Sequence, residues 1–116
     1  MTIKRLHTGP RMSEAVIANG FVFLAGQVAD DEGADITTQT RQVLAAIDKL
    51  LAEAGTDKSR LLTAQIFLVD LADFAAMNAV WEAWVSPGNT PARATVQAHL
   101  ARRGWKIEIV VSAALP

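Results

Sequence analysis

The segment Thr90-Pro91-Ala92-Arg93-Ala94-Thr95-Val96-Gln97 holds residue types suited to chemistry. In an extended strand successive side chains alternate, so Arg93, Thr95 and Gln97 share one surface and Ala94, Val96 and Ala98 the other. A planar guanidinium fixed by its backbone binds a carboxylate through two parallel hydrogen bonds. Each such charge-assisted bond is worth about 1.5–3 kcal/mol net, enough to help hold a small acid in a sheltered cleft. Glu108 is the second candidate, the one acid inside the apolar stretch Lys106-Ile107-Glu108-Ile109-Val110-Val111. A carboxylate there can hold a water or move a proton. Both residues also have a plainer reading, Arg93 as a strand-edge arginine in water or an ion pair, Glu108 as a half-exposed strand residue beside a Lys or Arg. Spacing alone favours the plainer one.

Other chemistries lack their residues. The chain has no cysteine, which removes disulfides, thiolate metal sites and cysteine nucleophiles together. His7 and His99 are the only histidines, neither in a metal-ligand pattern, so no metal is expected. There is no Gly-x-Ser-x-Gly elbow and no phosphate loop, and the seven glycines are scattered, so no cofactor is expected. Eleven basic and twelve acidic residues give a net charge of −1. That balance lacks the basic excess that phosphate neutralisation demands of a nucleic-acid binder. The apolar runs are too short to span a bilayer and the first residues are polar, so a cytoplasmic protein is expected, with no membrane partner.

At 116 residues and 51% hydrophobic content the chain predicts a single domain, residues 1–116, with one core. Residues 14–19 and 21–25 read as strands about Asn19-Gly20, a strong hairpin signal because both residues accept positive φ. Residues 36–54 read as a helix with Asp35 as N-cap and Gly55 as C′ residue, its apolar face formed by Val43, Ile47, Leu50, Leu51 and Ala54. Residues 61–69 read as a strand and 70–85 as a second helix, with Phe74, Met77, Trp81 and Trp84 on one side. Pro87 and Pro91 stop that helix and hold the chain extended. Two last strands, 93–100 and 106–113, are expected to pair as a hairpin about residues 102–103, which would set Glu108 opposite Gln97 with Arg93 about 13 Å along the strand. A further short strand fits residues 2–6. The order ββ-α-β-α-ββ describes an α+β fold, one sheet with two helices on one face. The second face, with Leu61, Thr63, Gln65, Phe67 and Val69 of one strand and Lys106, Glu108, Val110 and Ser112 of another, is neither clearly polar nor fully apolar, and predicts burial against other copies.

Several segments in order resemble the RidA/YjgF family of small trimeric proteins. They are Thr8-Gly9-Pro10, Leu24-Ala25-Gly26-Gln27, Gln39 to Ile47, Ile66 to Phe74 and on through Asn78, Pro91-Ala92-Arg93, and Lys106-Ile107-Glu108-Ile109. The resemblance implies a chorismate-mutase-like fold and a homotrimer whose sheets form a central barrel, with ligand clefts between subunits. It implies cofactor-independent hydrolysis of reactive enamines and 2-iminoacids to 2-oxo acids and ammonia. The alternative is a non-catalytic protein that binds or senses a small carboxylate. Carried across, Arg93 would grip the substrate carboxylate and Glu108 would position water. The backbone of Gly26 and the side chain of Asn78 would line the cleft. The chain departs from the family pattern at Thr95, where a cysteine is typical, at Arg11, where a tyrosine is typical, and at Ala25 in place of a serine. Thr95 keeps size and polarity, whereas Arg11 would favour a more acidic ligand if it faces the cleft.

Overall fold

The computed structural model describes all residues, Met1–Pro116. Its first helix, α1 (Ile36–Ala54), begins where Asp35 accepts a hydrogen bond from the Thr38 amide at 2.8 Å. It ends at Gly55, whose φ of 91° lies in the left-handed region and lets its own amide turn back to the last carbonyls. Between these caps Ile36, Val43, Leu44, Ile47, Leu50, Leu51 and Ala54 form one buried stripe, joined by Gln39 and Thr40. Fully burying a Leu or Ile contributes about 1.5–3 kcal/mol, so this stripe is what holds α1 to the sheet. The second helix, α2 (Phe74–Trp84), follows a single 3-10 turn at Leu71–Asp73, so the expected helix from residue 70 starts four residues late. It buries Met77 and Trp81, while Phe74 at its start stays exposed. The indole N–H of Trp84 donates to Asp48 Oδ2 at 2.9 Å and ties α2 to α1.

The strands are β1 (Ile3–Leu6), β2 (Ala15–Ala18), β3 (Phe21–Leu24), β4 (Leu61–Leu68), β5 (Ala92–Gln97) and β6 (Ile107–Ala114). They form one mixed sheet in the order β1-β2-β3-β6-β4-β5. The expected hairpin at Asn19-Gly20 is present, with φ of 53° and 80° at its two central residues. The expected β5–β6 hairpin is not. β4 lies between them, antiparallel to β6 and parallel to β5. The reason is that β4, α2 and β5 make one strand–helix–strand unit, which returns the chain parallel to the strand it left. β5 is therefore an edge strand.

Register assigns each strand residue a face. Ile107, Ile109, Val111 and Ala113 of β6 and Ala64, Ile66 and Leu68 of β4 are buried beneath the helices. A register shift between Leu61 and Thr63 buries Leu61 and turns Leu62 outward, so the simple alternation expected there breaks at its start. The other face carries Phe21, Phe23, Thr63, Gln65, Phe67, Val96, Val110 and Ser112 and no helix. Phe23 remains 52% exposed there. A shallow groove of about 580 Å³ runs over that open face between Phe23, Gln65, Ala94 and Val110.

Candidate functional site

Arg93 pairs across the parallel ladder with Ala64, Thr95 with Ile66 and Gln97 with Leu68. Aligned residues share a face, so Arg93, Thr95 and Gln97 point to the helical side, as the alternation required. There the Arg93 guanidinium carbon lies 5.4 Å from the centroid of the Trp81 ring on α2. Neither ion pair of the chain involves Arg93. Asn78 lies one turn before Trp81 on the same side of α2. Asn78 Oδ1 and Thr95 Oγ1 are both buried without a hydrogen-bond partner. An unpaired buried polar atom costs about 1–3 kcal/mol, and these two oxygens lie on the same side of the sheet as Arg93, on its own strand and on the helix that carries Trp81.

Glu108 stands apart from this group. It is aligned with Phe67, which is aligned with Val96, so Glu108 lies on the open face, two strands in from β5. Arg93 is then about 10 Å away along the strands and about 9.5 Å across them, on the opposite face. The expected position of Glu108 opposite Gln97 is thus corrected in both pairing and face. What Glu108 does meet is Gly26. The pairing of β3 with β6 slips by one residue between Phe23↔Ser112 and Gln27↔Ile109, and Gly26 sits in that irregularity. A Cβ added at Gly26 would come within 2.1 Å of Glu108 Oε2, so glycine is what leaves room for the carboxylate. Arg11 lies exposed in the loop between β1 and β2, at the same end of the sheet as Gly26 and Glu108. Gly9 N–H bonding to Met12 O at 2.8 Å and a 3.0 Å Thr8–Ser13 hydroxyl contact shape that loop.

The sequence-predicted residues therefore form two groups, Arg93, Thr95 and Asn78 on one face, Glu108 and Gly26 on the other. Sequence reasoning missed Trp81 as the partner of Arg93. The signal was available in the strand–helix–strand order, which lays α2 over the strand that bears Arg93. A separate groove of about 450 Å³ lies between α1 and the first hairpin, lined by His7, Glu14, Gln27, Lys49 and Glu53 among others. Four of its polar groups are paired: His7 bonds Glu53, and Gln27 donates to Glu14 at 3.0 Å. No three His, Asp or Glu side chains converge to hold a metal ion. No helix is long and apolar enough to cross a membrane.

Residues 2–115 match the family model described as Endoribonuclease L-PSP. A RutC family protein of Haemophilus ducreyi is 49% identical over 113 residues, covering 97% of each chain. The RutC family protein YoaB of Escherichia coli is 45% identical over 115 residues, covering 99% of this chain and all of its own. The crystal structure of a YjgF family member from Neisseria meningitidis superposes with a TM-score of 0.97 at 50% identity, over all of this chain and 97% of that one.

Proposed function

From the premise that the chain belongs to the Endoribonuclease L-PSP family, which includes RutC and YjgF proteins, we propose that it hydrolyses 2-iminoacids to 2-oxo acids in clefts between copies of itself. The observation that carries this reading is the unpaired Arg93 guanidinium on an edge strand, beside two buried oxygens without partners. Arg93 takes the substrate carboxylate, and Thr95 and Asn78 supply the polar contacts around it. An iminium carbon is already a strong electrophile, so orientation of it and of a water is most of what the protein must provide. Glu108, held over Gly26, orients that water and takes its proton as the oxygen adds to the carbon. The proton then goes to nitrogen; as the C–N bond breaks, the hydroxyl proton passes back to Glu108 and the carbonyl forms, and the departing ammonia takes that proton and leaves as ammonium with the 2-oxo acid behind.

Arg93 and Glu108 lie on opposite faces of one sheet, and this geometry supports a cleft shared between copies. The open face presents Phe21, Phe23 and Val96, each at least 40% exposed, and an apolar face of that kind is normally covered. In a trimer with the sheets inward, the β5 edge of one copy comes beside Glu108 and Gly26 of the next. Arg11, at that end of the sheet, then adds a second cation to the rim.

A ribonuclease reading is not favoured. His7 follows β1 and His99 follows β5, the two opposite edges of the sheet. Five strand spacings of about 4.8 Å separate them, too far to act as an acid–base pair within one chain. The deaminase reading is tested by generating 2-iminobutanoate enzymatically and timing its decay. Wild type hastens the decay and Arg93→Ala does not; equal decay with both would sink the proposal. Tight binding of 2-oxobutanoate by wild type and Glu108→Gln alike, with no turnover by either, would favour a binding or sensing protein instead.

A further inference from the structure

We infer that Trp81 is a positioning residue that aims the Arg93 guanidinium at the substrate carboxylate; this rests on the carboxylate reading above. An unpaired arginine on an edge strand has many rotamers, and a cleft that must present two parallel donors has to select among them. The structure provides a support from behind. Trp81 is only 5% exposed, and its ring holds the guanidinium carbon at 5.4 Å. The ring attracts the cation through its negative face while accepting none of its N–H donors in plane, so those donors stay available. No carboxylate competes for them.

The support is itself fixed. The Trp84 ring lies 5.4 Å from that of Trp81, tilted by 50°. Trp84 is anchored to α1 by its bond to Asp48 Oδ2, and Lys58 Nζ lies 5.2 Å from the Trp84 ring centroid. Asp48, Trp84, Trp81 and Arg93 thus form one continuous column from the outer helix to the edge strand. Trp81 touches no substrate; it acts through Arg93.

A grip on the carboxylate, equal in ground and transition states, appears in KM and not in kcat. For Trp81→Leu, 2-iminobutanoate hydrolysis should show KM raised about 2- to 30-fold, the range expected for loss of a cation–π contact. Its kcat should change by less than twofold. Trp81→Phe keeps a ring face and should restore most of the difference, whereas a merely space-filling role would be served as well by leucine. The dissociation constant for 2-oxobutanoate should move in parallel with KM. Equal KM and equal 2-oxobutanoate affinity in wild type and Trp81→Leu would overturn the inference while leaving the carboxylate reading intact. Failure of wild type itself to bind 2-oxobutanoate or hasten imine decay would overturn both. A second measurement needs no change at position 81. In wild type labelled with 5-fluorotryptophan, saturation with 2-oxobutanoate should shift the ¹⁹F resonance of Trp81 and leave that of Trp105 in place. Assignment comes from Trp84→Phe and Trp105→Phe. An unmoved Trp81 resonance at saturation would contradict the inference.

Discussion

The chain contains two arginines set over tryptophans at almost the same distance, Arg93 over Trp81 at 5.4 Å and Arg102 over Trp105 at 5.5 Å. Their surroundings differ completely. Arg102 also pairs with Glu32 at 3.6 Å, in a turn whose backbone is tied down on every side. Gly104 O accepts from Gly33 N at 2.9 Å and from Gln39 Nε2 at 2.8 Å, and Lys106 N donates to Gln39 Oε1 at 2.9 Å. Arg93 has no ion pair, and its neighbours Asn78 and Thr95 each keep a buried oxygen unpaired. The same contact closes a surface turn in one place and leaves a donor set open in the other. Unsatisfied polar groups, not the arginine–tryptophan contact itself, distinguish the two.

That contrast can be broken or sharpened by substitution. The largest effect belongs to the tryptophans. Trp81→Ala removes a buried ring and should cost about 3–5 kcal/mol in denaturant unfolding, against about 1 kcal/mol for the part-exposed Trp105. Equal costs would mean that both rings serve only as surface cover. Next come the arginines. Arg93→Ala should weaken 2-oxobutanoate binding about 10- to 150-fold, the equivalent of about 1.5–3 kcal/mol for a charge-assisted bond. Arg102→Ala should change it less than twofold, as isothermal titration would show. Gln39→Leu comes third. It leaves the Lys106 amide without its acceptor and removes one of the two donors to the Gly104 carbonyl, and should cost about 1–3 kcal/mol of stability. The 2-oxobutanoate affinity of the folded protein should stay unchanged. The smallest effect is at Asp35, which caps the helix that carries Gln39. The hydrogen bonds from Thr38 hold its carboxyl below its ordinary value of 3.8. A depressed carboxylate contributes stability that is complete above that value and is lost as pH falls through its folded-state pKa. Asp35→Ala should therefore lower Tm at pH 7, and the difference from wild type should shrink as pH drops below about 3.8.

How far sequence carried the reading follows from which interactions are local. The limits of α1 were legible because its caps, Asp35 and Gly55, and its apolar stripe are all short-range features. The first hairpin was legible because Asn19-Gly20 specifies its own turn. The neighbours of β5 were not, since strand order depends on contacts distant in sequence, and two adjacent extended segments joined by a glycine-bearing linker imitate a hairpin. The true order hid in the strand–helix–strand unit of β4, α2 and β5. The residues of the candidate site were named from the sequence, and their grouping was legible only in part. Alternation grouped Arg93 with Thr95, the family resemblance named Asn78, and α2 sets Asn78 one turn before the Trp81 that Arg93 meets. The contact of Glu108 with Gly26 needed the irregular β3–β6 pairing, which no local pattern announces. Gln39 left a faint trace as a polar residue at the start of the apolar stripe of α1.

The proposal that Arg93 and Glu108 act from neighbouring copies is tested most directly by complementation. Arg93→Ala and Glu108→Gln chains, each about tenfold or more slower alone at substrate well below KM, are co-expressed so that they assemble at random, and 2-iminobutanoate decay is timed with the mixed protein at that concentration. Shared clefts predict recovery of about a quarter of the wild-type rate, the share of interfaces at which random mixing brings both intact residues together. No recovery in verified mixed oligomers would contradict the account.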